Sequence, residues 1–412
     1  MKGCTHRRQL SKIAALCVFF LDNFGIAVVY PIFTPLLLET GYGLVNDSTS
    51  LAMRTLMLGI LIASFPLAQV FGAPLLGRLA DISGRRIAFF LTLIGGAIGY
   101  LLSGLGIEVG SYVLLLASRF LTGLFASNLT LALASISDLT HTPKERSRNF
   151  GILATVAGFS FIVAIFIGGA FSSRLLDRDF SSAIPFWIAS AISLLNLYII
   201  VRFYDETSHH KGTTPLTIKK FFHTLLPPIK EKGIYVLYGA YFFYMLGWIP
   251  SLQFLSYFMI ERFGVEKETI VLLFLCVGVA WMLGTSLMNP LLHKGISPKG
   301  LAVISSFFTA FFLFLPVAEI PFHSFFTFYI LAALFSSLAW TNITSWISVQ
   351  AGREIQGKTL GINQSVGSCA IILGPILGAL LTRLTDSFLI GSIAASIFIS
   401  FLLLFTFMVI KK

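Results

Sequence analysis

Residues 72–90 read GAPLLGRLADISGRRIAFF, and the rest of the chain is ordered around them. Two long apolar runs meet here across a few residues holding Arg78, Asp81, Arg85 and Arg86, in a sequence that is 56% hydrophobic and only 11% charged. A link that short cannot hold a domain. It reads as a basic hairpin at a membrane surface, with Gly77 and Gly84 letting the backbone turn sharply and pack closely.

A soluble globular chain carries roughly a quarter charged residues, so this one belongs in a bilayer. Its net charge of +11 does not point to nucleic acid, because the basic residues sit in short loops between apolar runs. Cys4, Cys17, Cys276 and Cys369 are scattered singly, without metal-ligand or disulfide spacing. No nucleophile, metal-binding or phosphate-binding motif is present, so neither enzymatic chemistry nor ATP-driven transport by this chain alone is expected, and no cofactor.

A hydrocarbon layer about 30 Å thick requires roughly twenty helical residues. Twelve runs qualify, near 13–38, 52–80, 86–106, 110–138, 149–172, 183–203, 233–261, 268–292, 300–318, 322–350, 359–382 and 387–410. All are expected to be helices, because a helix satisfies its own backbone polar groups where water is absent. The longest connection, 204–232, divides the chain into an N-terminal six-helix bundle (1–203) and a C-terminal one (233–412). Alternating the loops places 22 of the 29 Lys and Arg on the side of both termini, which predicts cytoplasmic termini and a cytoplasmic central loop. An offset of 210 aligns Phe150-Gly151-Ile152 with Leu360-Gly361-Ile362 and Gly168 with Gly378, the mark of a duplicated unit.

Charges inside the spans are costly and therefore candidates for function. Asp22 lies about ten residues into the first span, near the midplane, where an acid is placed to take up and release a proton. Arg119 is the other deep charge, and Asp22 is its candidate partner. Amides are costly in lipid, so Gln69, Asn128, Asn342, Asn363 and Gln364 are expected to face a cavity or another helix. Tyr241 and Trp248 in span seven add aromatic area suited to an amphipathic molecule. Trp248 and Pro250 also suggest a bend.

The pattern Gly77-x-x-x-Asp81-x-x-Gly84-Arg85-Arg86 between the second and third spans resembles the signature loop of the major facilitator superfamily. The run LDNFGIAVVYPIFTPLL, Arg119 followed by Gly123 and Asp138, and Gly374-Pro375-x-x-Gly378 resemble its twelve-span proton-linked drug antiporters, tetracycline exporters especially. The resemblance implies an all-α membrane protein of two pseudo-symmetric six-helix bundles around a midplane cavity. It further implies a conformational switch built from Gly77, Asp81, Gly84, Arg85, Arg86 and Asp138, in which Asp138 pairs with Arg85 and Asp81 faces the N-terminus of span eleven. Two departures stand out: Ala164 and Ile165 occupy the place of a helix-kinking Gly-Pro pair, and the second half lacks the ionisable residues such exporters use.

The expected activity is proton-coupled export of small amphipathic organic compounds by alternating access. Proton-linked uptake of an amino acid, sugar or siderophore is one alternative, and a receptor or scaffold that moves no solute is another. Expected partners are a small-molecule substrate, protons and membrane lipid, with the chain a monomer in the cytoplasmic membrane.

Overall fold

The computed structural model describes residues 2–38, 44–139, 143–172, 181–206, 234–350, 356–382 and 385–410. Most of the central loop expected at 204–232 therefore lies outside the described residues. All regular structure in the described residues is helical.

Span one is split into α1 (Lys2–Ala27) and α2 (Tyr30–Leu38). The helix begins well before Ile13, since no Pro or Gly pair interrupts the basic N-terminal segment. α3 (Leu51–Ser83) and α4 (Arg85–Glu108) form spans two and three. Span four is broken into α5 (Tyr112–Leu124) and α6 (Asn128–Asp138), and α7 (Pro143–Ser172) and α8 (Ile184–Phe203) complete the first half. Span seven comprises α9 (Ile234–Gln253) and α10 (Leu255–Phe263), bent by 53° three residues after Pro250. Span eight runs through α11 (Lys267–Leu283), a π-helical turn at Gly284–Met288 and α12 (Asn289–Leu292). α13 (Pro298–Phe314), α14 (Phe322–Gln350), α15 (Gln356–Leu381) and α16 (Asp386–Ile410) follow.

Among the described residues, eight helical segments are long and apolar enough to cross a bilayer, and the bent pair in span seven makes a ninth. Shorter apolar stretches, Tyr112–Leu124, Thr155–Phe171 and Ser365–Leu381, lie where the remaining spans are expected.

Two units emerge, residues 1–49 with 64–221 and residues 50–63 with 222–412. The first part of α3, up to residue 63, thus groups with the second unit, where a Cβ at Gly59 would approach the Pro375 carbonyl to 2.7 Å and Ala379 Cβ to 2.8 Å. In the first unit span one packs on spans four, five and six, and span three on four and six. In the second, span seven packs on ten, eleven and twelve, and span nine on ten and twelve. Adding six to each span number converts one set into the other, so the duplication visible in sequence is also a duplication of packing.

With no water to compete, helices are joined through hydroxyls and amides reaching a neighbour's carbonyl. Ser160 Oγ donates to Phe20 O at 2.6 Å, Asn196 Nδ2 to Cys17 O at 3.1 Å and Ser190 Oγ to Ala97 O at 2.9 Å. Ser396 Oγ does the same across spans seven and twelve, donating to Phe243 O at 2.8 Å. Glycines set a close crossing of spans two and four in the first unit: a Cβ at Gly72 would fall on the Leu124 carbonyl, and one at Gly123 on the Phe65 carbonyl. The freed backbone at the break in span four is met by a side chain, Gln69 Nε2 donating to Ala126 O at 2.8 Å.

Candidate functional site

Asp22 stands on α1, five residues before that helix ends, and is 7% exposed. Across from it, on α4, the Tyr100 hydroxyl occupies the place a Cβ of Gly25 would take, so a glycine at 25 is what lets this phenol reach α1. Asp22, Tyr100, Thr92, Thr122, Asn128 and Ser193 line a cavity of about 10 Å³ inside the first unit. The break between α5 and α6 sets Asn128 at the start of α6 beside this cavity, and its Oδ1 is enclosed without a donor.

Arg119, on α5, is 3% exposed. Its guanidinium lies 4.8 Å from the centre of the Phe65 ring and 5.7 Å from that of Phe33, so aromatic faces take part of the stabilising role of water. Its Nε and Nη1 are buried without a hydrogen-bond acceptor. Tyr100 lies in the field of both charges, the Arg119 cation and the Asp22 carboxylate.

At the hairpin, α3 and α4 are joined through a single residue, Gly84, at φ 101°. That geometry is essentially open only to glycine. It aims the first amides of α4 at Glu206, whose Oε1 accepts from Arg85 N at 2.9 Å and Oε2 from Arg86 N at 3.1 Å. A carboxylate at a helix N-terminus answers both the open N–H groups and the positive end of the helix dipole. The Arg86 guanidinium donates to the Val201 carbonyl, which ties the same end of α4 to α8. Gly77 is otherwise: it is helical, and a Cβ there would meet nothing within 4 Å, so it provides neither the turn nor the close packing expected of it. The side chains of Asp81 and Asp138, as of Gln364, lie outside the described residues.

In the second unit Trp248 stacks on Trp281 with centroids 5.5 Å apart, and Trp281 lies 6.4 Å from Trp340. Tyr241 hydrogen-bonds with Trp340 and Asn363. The indole can only donate, and Asn363 Oδ1 has no partner, so the phenol oxygen accepts from both. Tyr241 and Trp248 are buried, whereas Trp340 is 39% exposed and forms the accessible end of this aromatic row. Asn342 stands apart from it, donating to Asn289 Oδ1 and to Leu338 O, both at 2.8 Å. The π-helical turn just before Asn289 lets Gly284 press against Ser337 on α14.

Of the residues singled out in sequence, the structure therefore brings Asp22 and Asn128 to one cavity, Gly84, Arg85 and Arg86 to one cap, and Tyr241 and Asn363 to one hydrogen-bonded group. Gln69 serves the backbone of the span-four break. Sequence reasoning missed Tyr100, Thr122 and Glu206. Tyr100 carried a usable signal as the sole tyrosine in a glycine-rich span, while Glu206 carried none, lying about 120 residues from the amides it binds.

The family profile described as Major Facilitator Superfamily matches residues 15–318. The tetracycline resistance protein of class H from Pasteurella multocida is 28% identical over 252 residues, 58% of this chain and 56% of that protein. In that match the chain spans little more than half of the relative's length. The class E protein from Escherichia coli is 26% identical over 378 residues, covering 90% of this chain and 87% of the relative. Among solved structures, the human organic anion transporter MFSD10 (TETRAN) superposes with a TM-score of 0.74 at 18% identity, covering 96% of this chain and 99% of that one.

Proposed function

Because the chain belongs to the major facilitator superfamily, and is thereby a multi-pass membrane transporter and not an enzyme, we propose that it exports small amphipathic organic compounds in exchange for protons. The observation that carries this reading is the presence, inside one bundle, of a buried carboxylate, Asp22, and a buried guanidinium, Arg119, whose Nε and Nη1 have no acceptor. Charges kept in an apolar bundle are costly and mark ion or proton pathways. Protonation of Asp22 leaves Arg119 as the net charge of the cluster, and that change in electrostatics is what would bias one conformation over another.

Solute is assigned to the other bundle. The row Trp248, Trp281 and Trp340, with Tyr241 and Asn363 beside it, offers aromatic faces and amide polarity without a charged side chain. Such a lining suits a planar, amphipathic molecule. The export direction is supported by the tetracycline resistance proteins to which the chain is similar. The basic loops favour a cytoplasmic membrane with both termini inside, and the working unit is a monomer.

Everted membrane vesicles energised to an acidic interior test this directly, with tetracycline and ethidium as probe compounds. Expression should produce probe-dependent proton release from the lumen, and Asp22→Asn should abolish it. Proton release equal in Asp22→Asn and wild type would remove Asp22 from coupling, and probe movement only toward the cytoplasm of right-side-out cells would replace export by uptake.

A further inference from the structure

The cavity beside Asp22 has a chemical bias that its size alone does not convey. Thr92 Oγ1 donates to Phe89 O at 3.0 Å, Thr122 Oγ1 to Ser118 O at 2.7 Å and Ser193 Oγ to Leu93 O at 2.8 Å. Each hydroxyl hydrogen is thus engaged outside the cavity, and these three side chains have only lone pairs left to offer. Asn128 Oδ1, buried and without a donor, adds a further acceptor, and the Asp22 carboxylate another. An enclosed acceptor left unmet costs about 1–3 kcal/mol. A volume of about 10 Å³ is the room one water requires, and a water needs two to four polar partners, which this wall supplies.

We propose that this cavity is the site of one ordered water, positioned by Asn128, through which Asp22 exchanges its proton. The water donates one hydrogen to Asn128 Oδ1 and the other toward the Asp22 carboxylate, while the Tyr100 phenol on the same wall can donate to it. An excess proton reaching the site forms hydronium. Hydronium gives that proton to the carboxylate, leaving neutral water and a neutral carboxylic acid, and the reverse step returns it. Asn128 is a positioning residue in this scheme and carries no proton itself. The break in span four, which sets Asn128 at the head of α6, becomes part of the proton path. The proposal rests on Asp22 as the proton-carrying residue but not on any particular solute or direction.

Infrared difference spectra of the purified full-length protein between pH 5 and pH 9, in ordinary and in ¹⁸O-labelled water, test it without a substrate. Among the described residues, the ionisable group that shares the cavity wall with Asp22 is Tyr100 from α4, span six brings Ser193 to the same wall, and the Arg119 guanidinium is buried on α5 in the same bundle. Signals of Tyr100 and Arg119 remain in every variant and are subtracted. A carboxylic acid band lost in Asp22→Asn identifies the acid. The expected result is an isotope-sensitive O–H band that changes together with it, disappears in Asn128→Leu and persists in Asn128→Ser. Thr122→Val keeps the shape of the wall and should shift the band's frequency, which keeps the test open if Asn128→Leu fails to fold. Absence of an isotope-sensitive band in the wild type, or a band untouched by both Asn128→Leu and Thr122→Val, overturns the proposal. So does thermal stabilisation by sodium that Asn128→Leu abolishes, since the occupant would then be an ion. Vesicle transport can fail while the band is present, which separates this inference from the export reading.

Discussion

Replacing Gly84 by Ala strikes two features with one methyl group. Its backbone, at φ 101° and ψ 156°, lies in a region essentially reserved for glycine, at a cost of about 1–3 kcal/mol for any other residue. The new Cβ would also lie 2.8 Å from Glu206 Cδ and still closer to Oε2, so the carboxylate that accepts from Arg85 N and Arg86 N must leave. Loss of a helix N-cap costs about 0.5–2 kcal/mol, typically about 1. Together the two effects should amount to roughly 2–4 kcal/mol, which at about 1.4 kcal/mol per decade weakens the folded state some thirtyfold to a thousandfold. Reversible unfolding of the purified protein in mixed detergent micelles measures this, with Glu206→Ala and the double variant completing a cycle. Glu206→Ala alone should cost about 1 kcal/mol. The double variant should be less destabilised than the sum by about the same amount, because Gly84→Ala already displaces the carboxylate. Strict additivity would show that Glu206 does not depend on the bare backbone at 84, and a Gly84→Ala cost below about 0.5 kcal/mol would refute the conformational argument as well.

Other substitutions separate packing from function. Gly72→Leu drives a side chain into the Leu124 carbonyl and should leave little folded protein in the membrane, as measured by size-exclusion chromatography of a fluorescent fusion; a normal monodisperse peak would contradict the close crossing of spans two and four. Gly77→Ala meets open space on a helix and should hold or raise stability by up to about 1 kcal/mol; if transport is also unchanged, Gly77 has no part in the switch that family resemblance assigns it. Tyr241→Phe removes the acceptor shared by Trp340 and Asn363 and should cost about 1–3 kcal/mol in thermal unfolding, unless solute or water replaces it; an unchanged midpoint in the apo protein would deny that those two donors depend on it. Arg119→Lys should fold yet lose most coupled transport, since a compact ammonium cannot serve both the Phe33 and Phe65 rings as the broad, delocalised guanidinium does; transport equal to wild type would remove the guanidinium's geometry from the mechanism.

By itself the sequence determined that this chain lives in a bilayer, how many times the apolar pattern recurs, and which loops are basic. Those properties follow from composition and from the roughly twenty-residue length a helix needs, both local and readable residue by residue. The 210-residue offset likewise exposed the duplication that the packing of spans repeats. Depth in a span was equally legible, which is why Asp22 and Arg119 could be singled out before any coordinates. What only the tertiary structure decided is what each polar side chain meets. Gln69 and Asn128 are both amides within apolar runs, yet one closes a broken helix and the other faces a water-sized cavity, a difference set by the break at residues 125–127. Tyr100 reaches span one only because residue 25 has no side chain, and Glu206 caps α4 only because Gly84 turns the chain toward it. Such partnerships join residues far apart in sequence through the exclusion of one atom by another, and steric exclusion between helices leaves no periodic trace along the chain.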